Sequence, residues 1–249
     1  GEETLRQKQS DEKAAAKVEE RRIAAEEKRI ADESVAMTDY SLAAPKPVVT
    51  KSIDSLPGNN SREKSQNEII KSPKFSQTHI KKLKALNSCK KCNLQGANLS
   101  RENLKGATMQ FANLSYANFS HADLSESNLT GSNLNKANLE GTNLRQANLS
   151  KADFSYAKLD KSNLIQAKLS GSNLDGASLV KTNLSFTTLT NASFKNSILT
   201  KANLTGANLT GANLSHASLG GANLKRARMH EVNLTRADLT GAELPRSMK

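Results

Sequence analysis

The chain has 249 residues and a formal net charge of +12, from 36 Lys and Arg against 24 Asp and Glu. Aromatic residues make up 4% of it and Trp is absent. Because large aromatic side chains usually dominate a globular interior, this composition argues against an irregular core and favours a narrow, regular stack of Leu and Ala. The positive charge favours acidic partners, such as nucleic acid, an anionic membrane or an acidic protein.

The first segment, residues 1–37, is predicted to be a charged α-helix. It is rich in Glu, Lys, Arg and Ala, and Gly1 is its only Gly or Pro. Apolar residues recur in it every seventh position, as in a coiled-coil seam: Ala16, Ile23, Ile30 and Met37. The complementary heptad positions hold Glu, so only half of the seam is present. We interpret the segment as a solvated single helix, with a coiled coil as the alternative.

A linker and a short capping segment follow. Residues 38–75 hold four Pro among many Ser, Asn and Lys, and such a composition buries too little apolar surface to fold. Residues 76–91 begin with a helical pattern in which Ser76 or Thr78 is the N-cap and Ile80 and Leu83 share a face. We expect this helix to cover the apolar end of the domain that follows, because stacked repeats need a cap.

A five-residue repeat fills the rest of the chain, residues 92–246. Every fifth residue from Leu94 to Leu244 is Leu, Phe or Met, at 31 positions in one phase. A small residue lies two positions earlier, Asn or Asp lies between them, and Gly often lies two positions later. A period of five fits neither the 3.6 residues of a helix nor the two of a simple strand. The chain must therefore turn a corner between repeats.

This motif resembles the pentapeptide-repeat family, as in Ala97-Asn98-Leu99-Ser100. The resemblance implies an all-β solenoid, a right-handed quadrilateral β-helix with four repeats per coil. It would have about eight coils and be roughly 37 Å long at about 4.8 Å per coil. The segment from Leu86 to Leu94 is similar to the start of the repeat domain in many bacterial, especially cyanobacterial, members. The family resemblance covers residues 92–246.

No catalytic constellation is evident, so we expect neither enzymatic activity nor a cofactor or metal. The four His have no Cys or carboxylate at ligand spacing: His79, His121, His216 and His230. Cys89 and Cys92 have the spacing of a redox or metal motif. Three interpretations remain open for this pair: simple packing in the first incomplete repeat, a structural disulfide, or half of a metal or redox site.

Residues twenty apart stack in a coil of four repeats, which groups the candidate contact residues into columns. Lys161, Lys181 and Lys201 form a lysine ridge along one corner. Tyr116 and Tyr156 flank Lys136 along another. Two more aromatic residues also occupy corner positions: Phe111 and Phe186. Exposed aromatic residues in a sequence this poor in them are plausible contact points.

We interpret the protein as a non-enzymatic scaffold that binds a protein or a larger assembly through the rod, with residues 1–37 as a docking or tethering element. The alternative is electrostatic attachment to nucleic acid or an anionic membrane through the ridge and the basic segment 71–91. That segment carries seven lysines: Lys71, Lys74, Lys81, Lys82, Lys84, Lys90 and Lys91. Homo-oligomerisation is left open.

Gyrase protection by mimicry of duplex DNA, the best-characterised activity of the family, is the least favoured function. Mimicry requires a negative rod, whereas residues 92–249 hold 17 basic and 10 acidic residues. The start at Gly1 and the cysteine pair favour export, to a periplasm or a thylakoid lumen, over the cytoplasm.

Overall fold

The computed structural model describes residues 76–246, so the helix predicted for residues 1–37 and the linker predicted for residues 38–75 lie outside the described residues. Its single described helix, α1, spans Gln77–Leu86. Ser76 is the N-cap: its backbone is extended and its hydroxyl accepts a hydrogen bond from His79 N. Asn87 ends the helix in the left-handed conformation, with φ of 49°. Leu83 is fully buried against the solenoid, whereas Leu86 is exposed.

A parallel solenoid follows the helix. Its rungs are isolated parallel bridges between residues twenty apart, beginning with Ser88 to Thr108 and ending with Asn223 to Glu243. Each five-residue repeat contributes one bridged position, so no described strand is longer than a single bridge. The twenty-residue register means that four repeats complete one coil.

Each repeat turns a corner in the left-handed region. All 31 corner residues from Lys91 to Gly241 have positive φ, and only ten of them are Gly. Ala97 N donates to Leu94 O at 3.0 Å across the first full corner, and positive φ at the third position is the signature of a type II turn. Non-Gly corners are held by the next coil: Arg101 N, for example, donates to Ser120 O at 3.0 Å. This bonding repeats at every corner from Lys91 to Gly221 and offsets the cost of the conformation.

The core is a set of stacked Leu columns along the axis. From Leu94 to Leu224 the inward Leu side chains are buried, and so are Phe119, Phe154 and Phe194, which occupy the same position in their repeats. Ala lies beside them in most repeats. Where Ser or Thr replaces Ala, its hydroxyl donates to a nearby carbonyl, as from Ser127 Oγ to Leu124 O at 2.6 Å. No buried side-chain N or O atom of the described residues lacks a hydrogen-bond partner.

The Asn that precedes each Leu acts mainly within its own repeat. Its Oδ1 accepts the backbone N–H two residues later, as Asn113 does from Ser115 N at 3.2 Å. Amide ladders between coils also occur, as from Asn143 Nδ2 to Asp123 Oδ1 at 2.9 Å. The preference for Asn and Asp therefore follows from the turn as much as from stacking between coils.

The two ends of the solenoid differ. At the first coil, Leu83 and Ile80 of α1 cover the Leu columns. At the last coil, the inward residues are only partly buried: Met229, Val232, Leu234, Ala237, Leu239, Ala242 and Leu244.

Candidate functional site

The solenoid presents four sides, which we number by the bridged residues that run along them. Side 1 holds positions 88, 108 and every twentieth residue onward; sides 2, 3 and 4 begin at positions 93, 98 and 103. Corner A (90 and 91 onward) joins sides 1 and 2, and corner B (95 and 96) joins sides 2 and 3. Corner C (100 and 101) joins sides 3 and 4, and corner D (105 and 106) joins sides 4 and 1. Each candidate residue can now be assigned to one of these sides or corners.

Corner B carries the Tyr–Lys–Tyr group. Tyr116, Lys136 and Tyr156 occupy successive coils, and the two Tyr side chains are 51% and 63% exposed. Lys136 Nζ lies 3.2 Å from Tyr116 Oη and 5.4 Å from the centre of its ring, within the range of a cation–π contact. The group is therefore partly ordered by its own contacts, while more than half of each Tyr remains exposed.

Corner C carries the lysine ridge. Lys161 Nζ lies 3.0 Å from Glu140 Oε1, and this hydrogen bond and charge lower the pKa of the Glu140 carboxyl. Lys181 and Lys201, in the next two coils, make no ion pair with the residues that the structure describes. Two ridge positions thus carry uncompensated charge on exposed side chains.

Corners B and C are the two edges of side 3, so six of the eight candidate contact residues border one flat surface. Two further residues lie in the middle of that surface: Lys158, which is exposed, and Ile198, which is 45% exposed. Sequence reasoning missed both. Their signal is positional, because each occupies the slot where Asn or another small polar residue is usual.

Phe111 and Phe186 lie apart from this group, at corners A and D on the edges of side 1. Each ring rests on the glycine of the next coil: a Cβ placed on Gly131 would lie 2.7 Å from Phe111 Cδ1, and one on Gly206 would lie 2.8 Å from Phe186 Cδ1. Tyr156 covers Gly176 in the same way. These aromatic residues therefore also have a structural role, covering a glycine twenty residues later.

Cys89 and Cys92 form a disulfide with an S–S distance of 2.05 Å, and both are buried. The disulfide lies where α1 meets the first coil, and Ser76 N donates to Asn93 O at 3.3 Å beside it. Of the three interpretations of this pair, the structure has the disulfide. Residues 76–246 hold no group of three or more His, Cys, Asp or Glu side chains arranged to bind a metal.

A shallow pocket of about 560 Å³ lies between α1 and the first coils. An ion pair crosses it, with Lys84 Nζ 2.6 Å from Glu102 Oε1, and Lys105 Nζ pairs with Glu126 at 3.1 Å on its rim. The charged side chains that line the pocket are paired with one another, so none of them is left as a candidate nucleophile or general base. Within the described part of the chain, no helix has the length and apolarity needed to cross a bilayer.

Solved structures of similar proteins are pentapeptide-repeat proteins. HetL from Nostoc, which is involved in heterocyst differentiation regulation, is 29% identical over 70% of this chain and 98% of its own, with a TM-score of 0.29. A protein from the Arabidopsis thaliana thylakoid lumen is 31% identical over 47% of this chain and 67% of its own, with a TM-score of 0.35. Rfr23 from Cyanothece is 32% identical over 67% and 93%, with a TM-score of 0.22.

No curated protein matches the chain. The sequence model of the family described as "Pentapeptide repeats (8 copies)" matches it in overlapping segments that begin at residue 88 and end at residue 244. The matched segments are 88–126, 127–164, 147–185, 157–196, 167–206, 177–215 and 207–244, and together they span well over half of the sequence. The chain therefore belongs to the pentapeptide-repeat family, whose members are generally non-enzymatic β-solenoids.

Proposed function

We propose that the protein is a non-enzymatic binding scaffold that engages an acidic protein partner through side 3. One observation carries the proposal: the fold brings the Tyr–Lys–Tyr group and the lysine ridge to opposite edges of a single flat side. Tyr is enriched among residues that dominate binding energy, because it supplies a large contact area with little loss of conformational entropy. Lysines at the rim steer an acidic partner and fix its orientation.

The middle of side 3 fits this role. Ile198 is the only exposed large aliphatic residue on the sides of the described solenoid, and it lies within the same surface. A partner that covered side 3 would bury Ile198 together with the outer faces of Tyr116 and Tyr156. The backbone beneath these residues is fixed by bridges to both neighbouring coils, so binding costs little ordering of the scaffold itself.

The proposal is tested by affinity capture with the full-length protein and a double variant, Tyr116→Ala with Tyr156→Ala. The matched control is Phe111→Ala with Phe186→Ala, which removes two exposed aromatic residues from the opposite side. We expect the first variant to lose the proteins that the wild type recovers and the control to retain them. Equal recovery by all three proteins would refute side 3 as the binding surface.

We further propose that residues 1–37 dock or tether the scaffold, on the basis of their charged helical composition. A variant that lacks residues 1–75 but keeps α1 tests this role. We expect it to lose part of the captured set. If both proteins recover the same partners, the tethering role is wrong.

Electrostatic attachment through residues 71–91 and the ridge is the second candidate function. The exposed lysines of the described part of this segment favour it, among them Lys81, Lys84, Lys90 and Lys91. Attachment of this kind weakens steeply between low and moderate salt, whereas capture through side 3 should persist. Gyrase protection remains the least favoured function, because the rod carries more basic than acidic residues.

A further inference from the structure

Side 1, opposite side 3, is the most basic surface of the solenoid. Within residues 88–246, side 1 and its two corners carry ten basic residues: Lys90, Lys91, Lys105, Arg145, Lys151, Lys168, Lys225, Arg226, Arg228 and Arg246. Only two acidic residues accompany them, Glu126 and Glu231. Side 3 with its corners carries eight basic and four acidic residues by the same count. The net positive charge is thus concentrated on one side.

Most of this charge has no internal partner. Lys105 pairs with Glu126 at 3.1 Å and Lys225 with Glu243 at 3.0 Å. Arg145, Lys151 and Lys168 are exposed and make no ion pair with any residue from 76 to 246. Arg145 and Lys151 lie at opposite edges of side 1 within one coil, and Lys168 lies in the middle of side 1 in the next coil. Because adjacent coils are about 4.8 Å apart, these three side chains form a positive cluster that spans the width of side 1.

The neutral residues in the middle of side 1 add hydrogen-bond donors. Asn128, Asn148 and Asn208 each use Oδ1 within their own repeat. Asn128 Oδ1, for example, accepts from Thr130 N at 3.1 Å and from Thr130 Oγ1 at 2.7 Å, and Ser150 and Thr210 do the same for the other two. Their Nδ2 groups have no acceptor among the described residues. Side 1 therefore offers N–H donors and positive charge, and its amide acceptors are already occupied.

The partner that fits is a linear chain of anionic acceptors. No large apolar side chain lies in the middle of side 1, which holds Thr, Asn, Ser, Lys and Arg. The two phenylalanines at its edges rest on Gly131 and Gly206 and do not form a wedge for insertion into a bilayer. Phosphate oxygens accept hydrogen bonds from Lys, Arg, Asn, Ser and Thr side chains, and the donors of side 1 are of these types.

We propose that side 1 binds the phosphate backbone of a nucleic acid without reading its sequence. The surface is flat, and no described element projects from it to enter a groove and reach base edges. The inference adds to the proposed protein-binding role a second surface on the opposite side, so that the rod would join a protein to a nucleic acid. The two surfaces share no residue, so either proposal can fail without the other.

Fluorescence anisotropy of the full-length protein with a labelled DNA duplex of about 30 base pairs, and with oligo-dT of similar length, tests this proposal. The variant is Arg145→Gln, Lys151→Gln, Lys168→Gln. The matched control on side 3 is Lys181→Gln, Lys195→Gln, Lys201→Gln, which removes the same charge. All six side chains are exposed, so both variants should keep the wild-type thermal unfolding curve. Residues 1–75 are present throughout, so the difference between the variants reports the rod.

We expect non-specific binding with Kd of about 10⁻⁶–10⁻⁴ M at physiological salt. The side 1 variant should bind at least about tenfold more weakly and lose about 2–3 from the slope of log K against log salt. The side 3 variant should change the affinity far less. The Tyr116→Ala, Tyr156→Ala protein should bind DNA as the wild type does.

Three results would overturn the proposal. The first is the absence of DNA binding at low salt. The second is an equal loss from the two charge variants, which would assign binding to net charge or to residues 1–75. The third is tighter binding to vesicles of phosphatidylserine and phosphatidylcholine than to DNA, with the same loss in the side 1 variant, because this would make side 1 a membrane-binding surface.

Discussion

Each inward Leu of the solenoid lies between two others of its column, one coil before it and one after. Leu144, between Leu124 and Leu164, is fully buried, so truncation leaves a cavity that a rigid stack cannot close. We expect Leu144→Ala to lower the free energy of unfolding by about 2–5 kcal/mol in urea denaturation. Leu234→Ala, in the half-exposed last coil, should cost clearly less. Equal losses would contradict the rigid column.

The energetic effect of the aromatic–glycine contacts can be measured by comparing two glycines that have the same backbone conformation. Gly106 and Gly206 both have φ of +67°, but a Cβ at Gly106 meets nothing within 4 Å, whereas one at Gly206 lies 2.8 Å from Phe186 Cδ1. We expect Gly106→Ala to cost about 1–2 kcal/mol from backbone strain alone. Gly206→Ala should cost more, because the ring of Phe186 must move.

A double-mutant cycle isolates that contact. If the ring is the obstacle, the excess cost of Gly206→Ala over Gly106→Ala should disappear when Phe186 is already Ala. An excess that persists in the Phe186→Ala background would mean that the ring does not rest on the glycine in solution. Chemical denaturation of the four proteins of the cycle, with Gly106→Ala as the reference, gives the values.

Because of Asp123, the free energy of unfolding should depend on pH in the acid range. Burial raises the pKa of its carboxyl, but hydrogen bonds from Ser125 and Asn143 and the charge of Lys105 outweigh burial and leave the pKa below its usual value. A lowered pKa stabilises the fold above the unfolded-state value of about 3.9, and the contribution is lost as pH falls through the folded-state pKa.

The test variant is Asp123→Asn, because Asn is the usual residue in this slot and its Oδ1 can accept the same bonds. The wild type should be the more stable protein near neutral pH, and the two free energies of unfolding should converge as pH falls below about 4. Urea denaturation across this pH range measures the gap. A gap that stays constant with pH would show that the carboxylate charge has no role.

At the scale of elements, α1 is the cap of the solenoid, and its two Leu residues allow capping to be tested separately from helix formation. Leu83 is fully buried on the first coil and Leu86 is 51% exposed. We expect Leu83→Ala to cost about 2–5 kcal/mol and to raise amide hydrogen exchange in the first coil. Leu86→Ala, with the same change in helix propensity, should cost within about 0.5 kcal/mol. Unchanged exchange in Leu83→Ala would mean that the first coil is stable uncapped.

Much at this scale could be predicted from the sequence, because local signals determine it. The Leu phase determines the core, and Ser76 with the spacing of Ile80 and Leu83 determines α1. The corners were only partly foreseen. Gly marks ten of them, but Phe111 and Lys161 adopt the same left-handed conformation, since hydrogen bonds to the next coil hold it. Bonding between coils cannot be read from a single repeat.

At the scale of the whole molecule, the arrangement of surfaces can be predicted only when the residues of all four sides are considered together. The twenty-residue stacking predicts that Lys161, Lys181 and Lys201 align, and it predicts the Tyr–Lys–Tyr column. That both columns border side 3, while the larger basic surface lies opposite on side 1, requires every corner to be assigned to its two sides. Residues more than a hundred positions apart, such as Lys90 and Arg228, then belong to one surface.

This arrangement allows a test in which deleting five residues should weaken DNA binding more than deleting twenty. Residues 187–191 are uncharged; their removal keeps the Leu phase but turns everything after them by one side, which carries Lys225, Arg226 and Arg228 away from side 1. Removal of residues 187–206 deletes Lys195 and Lys201 but restores the register of a full coil.

Both deletion proteins should fold, because each preserves nearest-neighbour stacking of complete repeats, and circular dichroism with thermal unfolding checks this. The larger deletion should then bind DNA about as the wild type does. The smaller one should bind it more weakly and with a shallower salt dependence, because fewer phosphates are contacted at once. A stronger effect from the larger deletion would mean that binding depends on the number of lysines and not on their alignment along one side.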